Sequence, residues 1–231
     1  MGVVGFSGWG KKKKKKIEML AFFLLVSLAT VCSALNYRGV DVSQPASVSA
    51  FQCLKSDGYS FAVVRAYQSS GHVDPNAAQT MMNAHEGGMS HVDAYLFPCP
   101  TCGTPGAYQQ MEDTVNALKN VEYGMLWLDI EGTQYWHSDQ SQNVNFIQGL
   151  VDAGNALNVT LGMYTSKSQW SQLCGTSSQF SYLPLWYPHY ENPANPTYSD
   201  FVSFGGWKSP SIKQYQGTTS LCGAGVDLNA Y

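Results

Sequence analysis

The chain has 231 residues, 44% of them hydrophobic and 13% charged, with a formal net charge of −3. This is enough for one substantial globular domain. Six of the thirteen basic residues form a single run, Lys11 to Lys16, so the rest of the chain has no clustered Lys and Arg to hold a nucleic-acid backbone.

That run leads into "MLAFFLLVSLATVCSA", Met19 to Ala34. A charged stretch, a short apolar core and small residues at Ser33 and Ala34 make a secretory signal peptide, so residues 1–34 are expected to be removed and 35–231 to form the mature domain. The apolar core is short for a bilayer span, which leaves a membrane anchor as the weaker alternative. Met19 opens a complete signal peptide by itself and is the expected initiator. Loss of residues 1–34 takes away six lysines and one glutamate, leaving seven basic residues against fifteen acidic ones, a net charge of −8. Export, to the outside or to a lysosome-related compartment, favours disulfides among the remaining Cys53, Cys99, Cys102, Cys174 and Cys222. Two bridges and one free thiol are expected, with Cys174 and Cys222 a candidate pair. "CPTC", Cys99 to Cys102, is read as a structural pair rather than a redox or zinc motif, because no second C-x-x-C accompanies it.

Eight strand-like runs follow in order: "YRGVDV", "FAVVRAY", "HVDAYLF", "GMLWLDI", "VTLGMYT", "LPLWYPH", "SIKQYQG" and "VDLN". Their β-branched and aromatic content supports strands. Helix-compatible segments lie between the first six: "SVSAFQCLKSDG", "PNAAQTMMNAHEGG", "YQQMEDTVNALKN", "SQNVNFIQGLVDAGNAL" and "SKSQWSQLCG", several of them ending at glycine. Strand–helix alternation implies a parallel sheet, and eight strands suggest closure, so the expected fold is a single-domain α/β, TIM-like barrel whose last part has lost its helices. An open doubly wound sheet is the alternative, although no G-x-G-x-x-G follows the first run.

The fourth run, "YGMLWLDIEG", ends in two acids. In an extended chain Leu126, Leu128 and Ile130 share one face and Trp127, Asp129 and Glu131 the other, with the Cα atoms of the two acids roughly 6.6 Å apart at about 3.3 Å per residue. Paired carboxylates beside an aromatic suit acid chemistry on a sugar. A lone D-x-E is more often a solvated strand end, but Asp41 late in the first run and Asp227 in the last bring four acids to the rim where barrel function gathers. Tyr67, Tyr95, Tyr164, Trp186 and Tyr215 fall on the predicted strands, where rings stack on sugar faces or fill the barrel core. Gln214 and Asn229 lie near Asp227 as hydrogen-bonding groups or as scaffold. "HEGGMSH" fails the H-E-x-x-H spacing at Met89, no metal or cofactor is expected, and the Ser-hydrolase and phosphate-loop signatures are missing. Asn158-Val-Thr is a candidate glycosylation sequon.

Taken together, "YRGVDVSQ", "WLDIEG", "LGMYTSKSQW", "PLWYPHY" and "IKQYQGTTSLCGAGVDLN" resemble the glycoside hydrolase family 25 lysozymes, specifically the nematode-type branch shared with some protists, over roughly residues 36–231. The resemblance implies a flattened (β/α)5(β)3 barrel. It also implies a retaining muramidase that cuts the β-1,4 bond between N-acetylmuramic acid and N-acetylglucosamine in bacterial peptidoglycan, acting as a monomer in defence or digestion. By position it makes Glu131 the general acid/base, Asp129 the stabilising acid, and Asp41 and Asp227 supporting carboxylates. Whether Asp129 attacks directly or steadies the sugar's own N-acetyl group stays open. Where bacterial and fungal members often read K-A-T-E-G, this chain has "RAYQS", so Gln68, counted among the substrate contacts, replaces an acid. That departure motivates a rival expectation, a wall-binding or signalling protein that kept the barrel and lost turnover.

Overall fold

The structure is a computed structural model that describes residues 1–2 and 37–231. The expected signal peptide, the Met19 start and Cys32 lie outside the described residues.

Among the described residues, nine strands and five α-helices follow one another. The first half contains β1 (Arg38–Val42), α1 (Val48–Ser56), β2 (Tyr59–Gln68), β3 (His72–Val73), α2 (Ala77–Glu86), β4 (His91–Leu96) and α3 (Ala107–Leu118). The second contains β5 (Leu126–Asp129), α4 (Gln140–Ala156), β6 (Leu161–Tyr164), α5 (Lys167–Leu173), β7 (Leu185–Pro188), β8 (Ile212–Leu221) and β9 (Ala224–Ala230). The five helices fall on the five segments expected to hold them. Ser47, Asp139 and Ser166 begin α1, α4 and α5 by accepting a backbone N–H of the first turn, which satisfies donors the helix itself leaves unpaired.

The strands join in the order β1-β9-β8-β7-β6-β5-β4-β2, and a β1–β2 pairing closes the ring, with β3 a short hairpin partner on β2. This is the expected eight-stranded α/β barrel with one correction. The sheet is not wholly parallel: β9 returns from β8 as a hairpin and runs antiparallel to both β8 and β1. No helix separates β7 from β8 or β8 from β9, which leaves five strand–helix units and three bare strands.

Two apolar layers result from the period of two along each strand. Leu126, Leu128 and Ile130 pack outward against the helices, while Trp127 joins Phe61, Val63, Tyr95, Tyr164, Trp186 and Ile212 inside the barrel. Gly162 on β6 makes room for this filling, since a Cβ there would lie 2.3 Å from the Trp127 ring. Trp127 therefore fills the barrel and is not a sugar platform: it is 2% exposed and its indole N–H donates to Asp93 at 2.9 Å.

Cysteine pairing agrees with the expected count of two bridges and one free thiol but not with the candidate partner of Cys222. Cys99 joins Cys102, and Cys53 joins Cys222. Cys174, the residue that caps the end of α5, is buried with no partner sulfur among the described residues, and burial pushes its thiol up to about 12. Cys222 is out of its reach because it sits in the turn of the β8–β9 hairpin, over α1.

Candidate active site

The four acids meet at one end of the barrel. Asp41 is near the end of β1, Asp129 ends β5, Glu131 follows two residues later and Asp227 lies midway along β9. Because β9 is antiparallel, its pairing with β1 starts at the rim where the parallel strands end, and Asp227 stands directly beside Asp41 in the sheet register. Together with Tyr95, Tyr164, Trp186 and Gln214 the acids line a cavity of about 70 Å³. It adjoins an open cleft of about 470 Å³ that is walled by Ser43 and Gln44 on one side and by Thr218 to Ser220 of the β8–β9 ribbon on the other.

The chain beyond Asp129 is pinned on both sides. The Ile130 N–H donates to the Tyr164 carbonyl at 2.8 Å, and the Thr165 hydroxyl donates to the Ile130 carbonyl at 2.8 Å. The Trp136 indole donates to the Glu131 carbonyl at 2.8 Å, and Gln169 accepts the Gly132 N–H at 3.0 Å. Gly132, with φ of +70°, turns the chain away at once, a conformation that costs little without a Cβ. Glu131 is left partly exposed at the rim while Asp129 is 5% exposed beneath it.

Gln214 organises the other two acids. Its amide N–H₂ donates to Asp41 at 2.8 Å and to Asp227 at 3.4 Å, while its oxygen accepts the hydroxyls of Tyr164 and Tyr190. Asn229, fully buried, donates to Asp41 at 2.7 Å and accepts the Trp186 indole N–H at 2.8 Å. The Thr218 backbone N–H donates to Asp227 at 2.6 Å.

All four carboxyls are pushed above their ordinary range. Burial is the main cause in each. For Asp41 it acts with the charge of Asp227, against the hydrogen bonds from Asn229 and Gln214, and brings the group to about 7. Asp129 is raised well above the usual range by burial and then by Glu131 and Asp41, with Arg65 opposing. Glu131 is raised by burial and by Asp227, and Asp227 by burial against the Thr218 N–H. One oxygen of Asp129 is sealed from solvent and accepts nothing from the described residues.

A carboxyl raised on folding contributes stability that is complete below its unfolded value and lost as pH rises through its folded value. For Asp41 that window runs from 3.8 to about 7. Asp74 and Asp200 have the opposite sign. Burial works to raise each, but for Asp74 the donors Gln68, the Asn76 N–H and Arg65 outweigh it, and for Asp200 Lys213 and His189 do, so their stabilisation fails only in stronger acid. The protein is therefore expected to melt at a higher temperature at pH 5 than at pH 8, by on the order of 5 °C in calorimetry, and Asp41→Asn should flatten the difference. A melting temperature that rises toward pH 8 would overturn the linkage.

The structure brings Tyr95, Tyr164, Trp186 and Gln214 to the acids, as the sequence led one to expect, and places four other candidates elsewhere. Tyr67 and Tyr215 are buried in the layer between barrel and helices, so their rings face away from the cleft. Asn229 is scaffold behind Asp41, sealed from any ligand. Gln68 lies outside the acid cavity and donates to Asp74 at 3.0 Å, on the oxygen that also accepts from Arg65 at 2.9 Å. Tyr190, which no sequence pattern singled out, joins the site through Gln214; its place on the loop after β7, next to a strand-end histidine, is the only signal the sequence holds. Asn158 is exposed in the turn after α4, at the start of the strands and so opposite the acids.

A sequence profile of the family described as Lysozyme-like protein 1 matches residues 33–215. "Probable GH family 25 lysozyme 2" of Dictyostelium discoideum is 49% identical over 215 residues, covering 92% of this chain and 97% of that protein. "Counting factor 50" of the same organism is 33% identical over 226 residues, covering 93% of this chain and 74% of its own length. Among solved structures, the family GH25 lysozyme from Aspergillus fumigatus superposes with a TM-score of 0.68 at 22% identity, covering 84% of this chain and 93% of that one, a likeness of fold. With the profile spanning most of the chain and a relative that matches along nearly its whole length, the chain belongs to the glycoside hydrolase family 25 lysozymes, in their lysozyme-like branch.

Proposed function

We propose that the protein is a secreted or lysosomal muramidase that hydrolyses the β-1,4 bond between N-acetylmuramic acid and N-acetylglucosamine in bacterial peptidoglycan, serving defence or the digestion of bacteria. The observation that carries this reading is the convergence of Asp41, Asp129, Glu131 and Asp227 on one cavity at the floor of an open cleft. Glycosidic cleavage needs a proton for the leaving oxygen and a negative group beside the oxocarbenium-like carbon. Glu131, raised and partly exposed, holds the proton and delivers it. Asp129 lies deeper, and its unpartnered oxygen is satisfied by an N–H from the ligand, which favours a retaining route in which the sugar's N-acetyl group attacks and Asp129 steadies it. Asp227, held by Gln214 and the Thr218 N–H, helps keep the Glu131 carboxyl high, and Asp41, held by Gln214 and Asn229, is itself raised by Asp227 and Glu131.

The second reading is a wall-binding or signalling protein without turnover. The relative named a counting factor favours it, as does Gln68 in place of an acid. Gln68 has its own partner in Asp74, and no carboxyl of the cavity leans on it, which is why the catalytic reading is preferred.

Release of reducing ends from purified peptidoglycan across pH 4–8 separates the two. The expected profile is highest on the acid side and falls as pH rises, because the Glu131 carboxyl, pushed above its ordinary range by burial and then by Asp227, loses its proton. Repulsion between a mature chain of net charge −8 and an anionic wall adds to the fall. A rate that climbs toward pH 8 rejects this assignment of the acids, and binding without reducing ends at any pH favours the second reading.

A further inference from the structure

Next to Gln214 on β8, and on the opposite face, stands Lys213. It is fully buried, in the place where a helix between β7 and β8 would cover the barrel; residues 189–211 cover it instead. Its ammonium donates to Asp200 at 2.6 Å, to the Thr197 carbonyl at 3.1 Å and to Glu191 at 3.3 Å, so all three of its hydrogens are used. The other Asp200 oxygen meets His189, and His189, Glu191 and Asp200, a grouping of cation-binding type, are thereby occupied by the lysine. Apolar side chains of like volume in place of the lysine and both its acids would pack at least as stably, whereas loss of the lysine alone leaves Asp200 and Glu191 without a counter-charge. What the charge adds is a fixed attachment for the loop, at both 191 and 200.

Between His189 and Glu191 is Tyr190, whose hydroxyl donates to the Gln214 oxygen beside that of Tyr164. Two donors on one amide oxygen fix which way the amide points. Its N–H₂ then has to face Asp41 and Asp227. We propose that Lys213, through Asp200 and Glu191, is a positioning residue for glycoside cleavage: it clamps the 189–200 loop so that Tyr190 holds the Gln214 amide with its donors on Asp41 and Asp227. The inference rests on the muramidase reading for its kinetic effects only. Asp41 also faces Asp227 on β9, Glu131 after β5 and Asn229 on β9, so a turned amide removes one of its two side-chain donors and leaves those charges in place.

The test compares wild type with Lys213→Met, Tyr190→Phe and the double variant. Lys213→Met is expected to fold but to melt below wild type, because Asp200 and Glu191 lose their counter-charge, to lower kcat by about tenfold, the effect of losing one charge-assisted hydrogen bond, and to move the pH profile upward with Asp41. Tyr190→Phe should shift the profile the same way, and the double variant should be no worse than the poorer single. A Lys213→Met protein with wild-type kcat and pH profile, or additive losses in the double variant, overturns the clamp. Two readouts need no turnover: hydrogen exchange of residues 189–200 and NMR titration of Asp41. Faster exchange and a raised Asp41 titration in Lys213→Met support the clamp even if wild type proves inactive, and unchanged values overturn it; absence of wild-type cleavage counts against the muramidase reading alone.

Discussion

Glu131→Gln is expected to lower the rate of peptidoglycan cleavage by about a hundredfold or more, the loss that follows removal of a general acid. The amide has the shape of the carboxyl but no proton of useful acidity. Nothing else should change. The Glu131 side chain makes no hydrogen bond to the described residues, and the backbone around it is held by Tyr164, Trp136, Gln169 and Thr165 through atoms the substitution leaves alone. Relief of repulsion with Asp227 makes the variant at least as stable as wild type. Reducing-end release and thermal melting on the same preparation check this. Activity within a few fold of wild type would remove Glu131 from the acid's role, and a sharp fall in melting temperature would make it scaffold.

The double replacement Cys53→Ser/Cys222→Ser is expected to cost about 2–5 kcal/mol, because the bond closes one of the longest loops the chain offers and loop closure restrains the unfolded state. The two cysteines are 169 residues apart. The loss has a local side as well. β8 pairs with β7 only as far as Gln214, and β9 pairs with β1 only from Asp227 onward, so the ribbon between them, Gln216 to Val226, has no third strand. Two-stranded ribbons are marginal alone. Its tip is anchored to α1 by this bridge, and its inner edge supplies Thr218, Thr219 and Ser220 to the cleft. Denaturant unfolding should show the stability loss. Steady-state kinetics should show KM rising more than kcat falls, as a loosened wall binds less well. Unfolding identical to wild type would place the stabilising effect of the bridge near zero.

Much of this was legible in the residues, and the exceptions have identifiable causes. The alternation in "LWLDIE" placed Asp129 and Glu131 on one face because one side of a barrel strand is apolar and the other lines the interior. The same alternation rules on Tyr215: with Gln214 facing Asp227, its neighbour has to face outward. Tyr67 escapes the rule for a different reason. Phe61, Val63 and Arg65 face inward, but the register slips between Arg65 and Tyr67, one extra residue is taken up, and Tyr67 is turned to the outer layer opposite Leu96. No pattern in the sequence announces such a bulge. The Cys53–Cys222 bond and the Lys213 clamp were equally silent, since each joins segments whose proximity depends on where the final hairpin goes.

The hairpin that ends the barrel also bears on when the cavity exists at all. Asp41 belongs to the first strand, and its donors Gln214 and Asn229 arrive 173 and 188 residues later. Contacts so distant in sequence form late and slowly. A chain emerging from the ribosome has Glu131 and Asp129 long before it has the strand that sets Asp227 beside Asp41. The proposed hydrolytic competence is thus tied to ring closure, and a polypeptide stopped short of β9 carries an incomplete acid set however well its earlier strand–helix units have condensed.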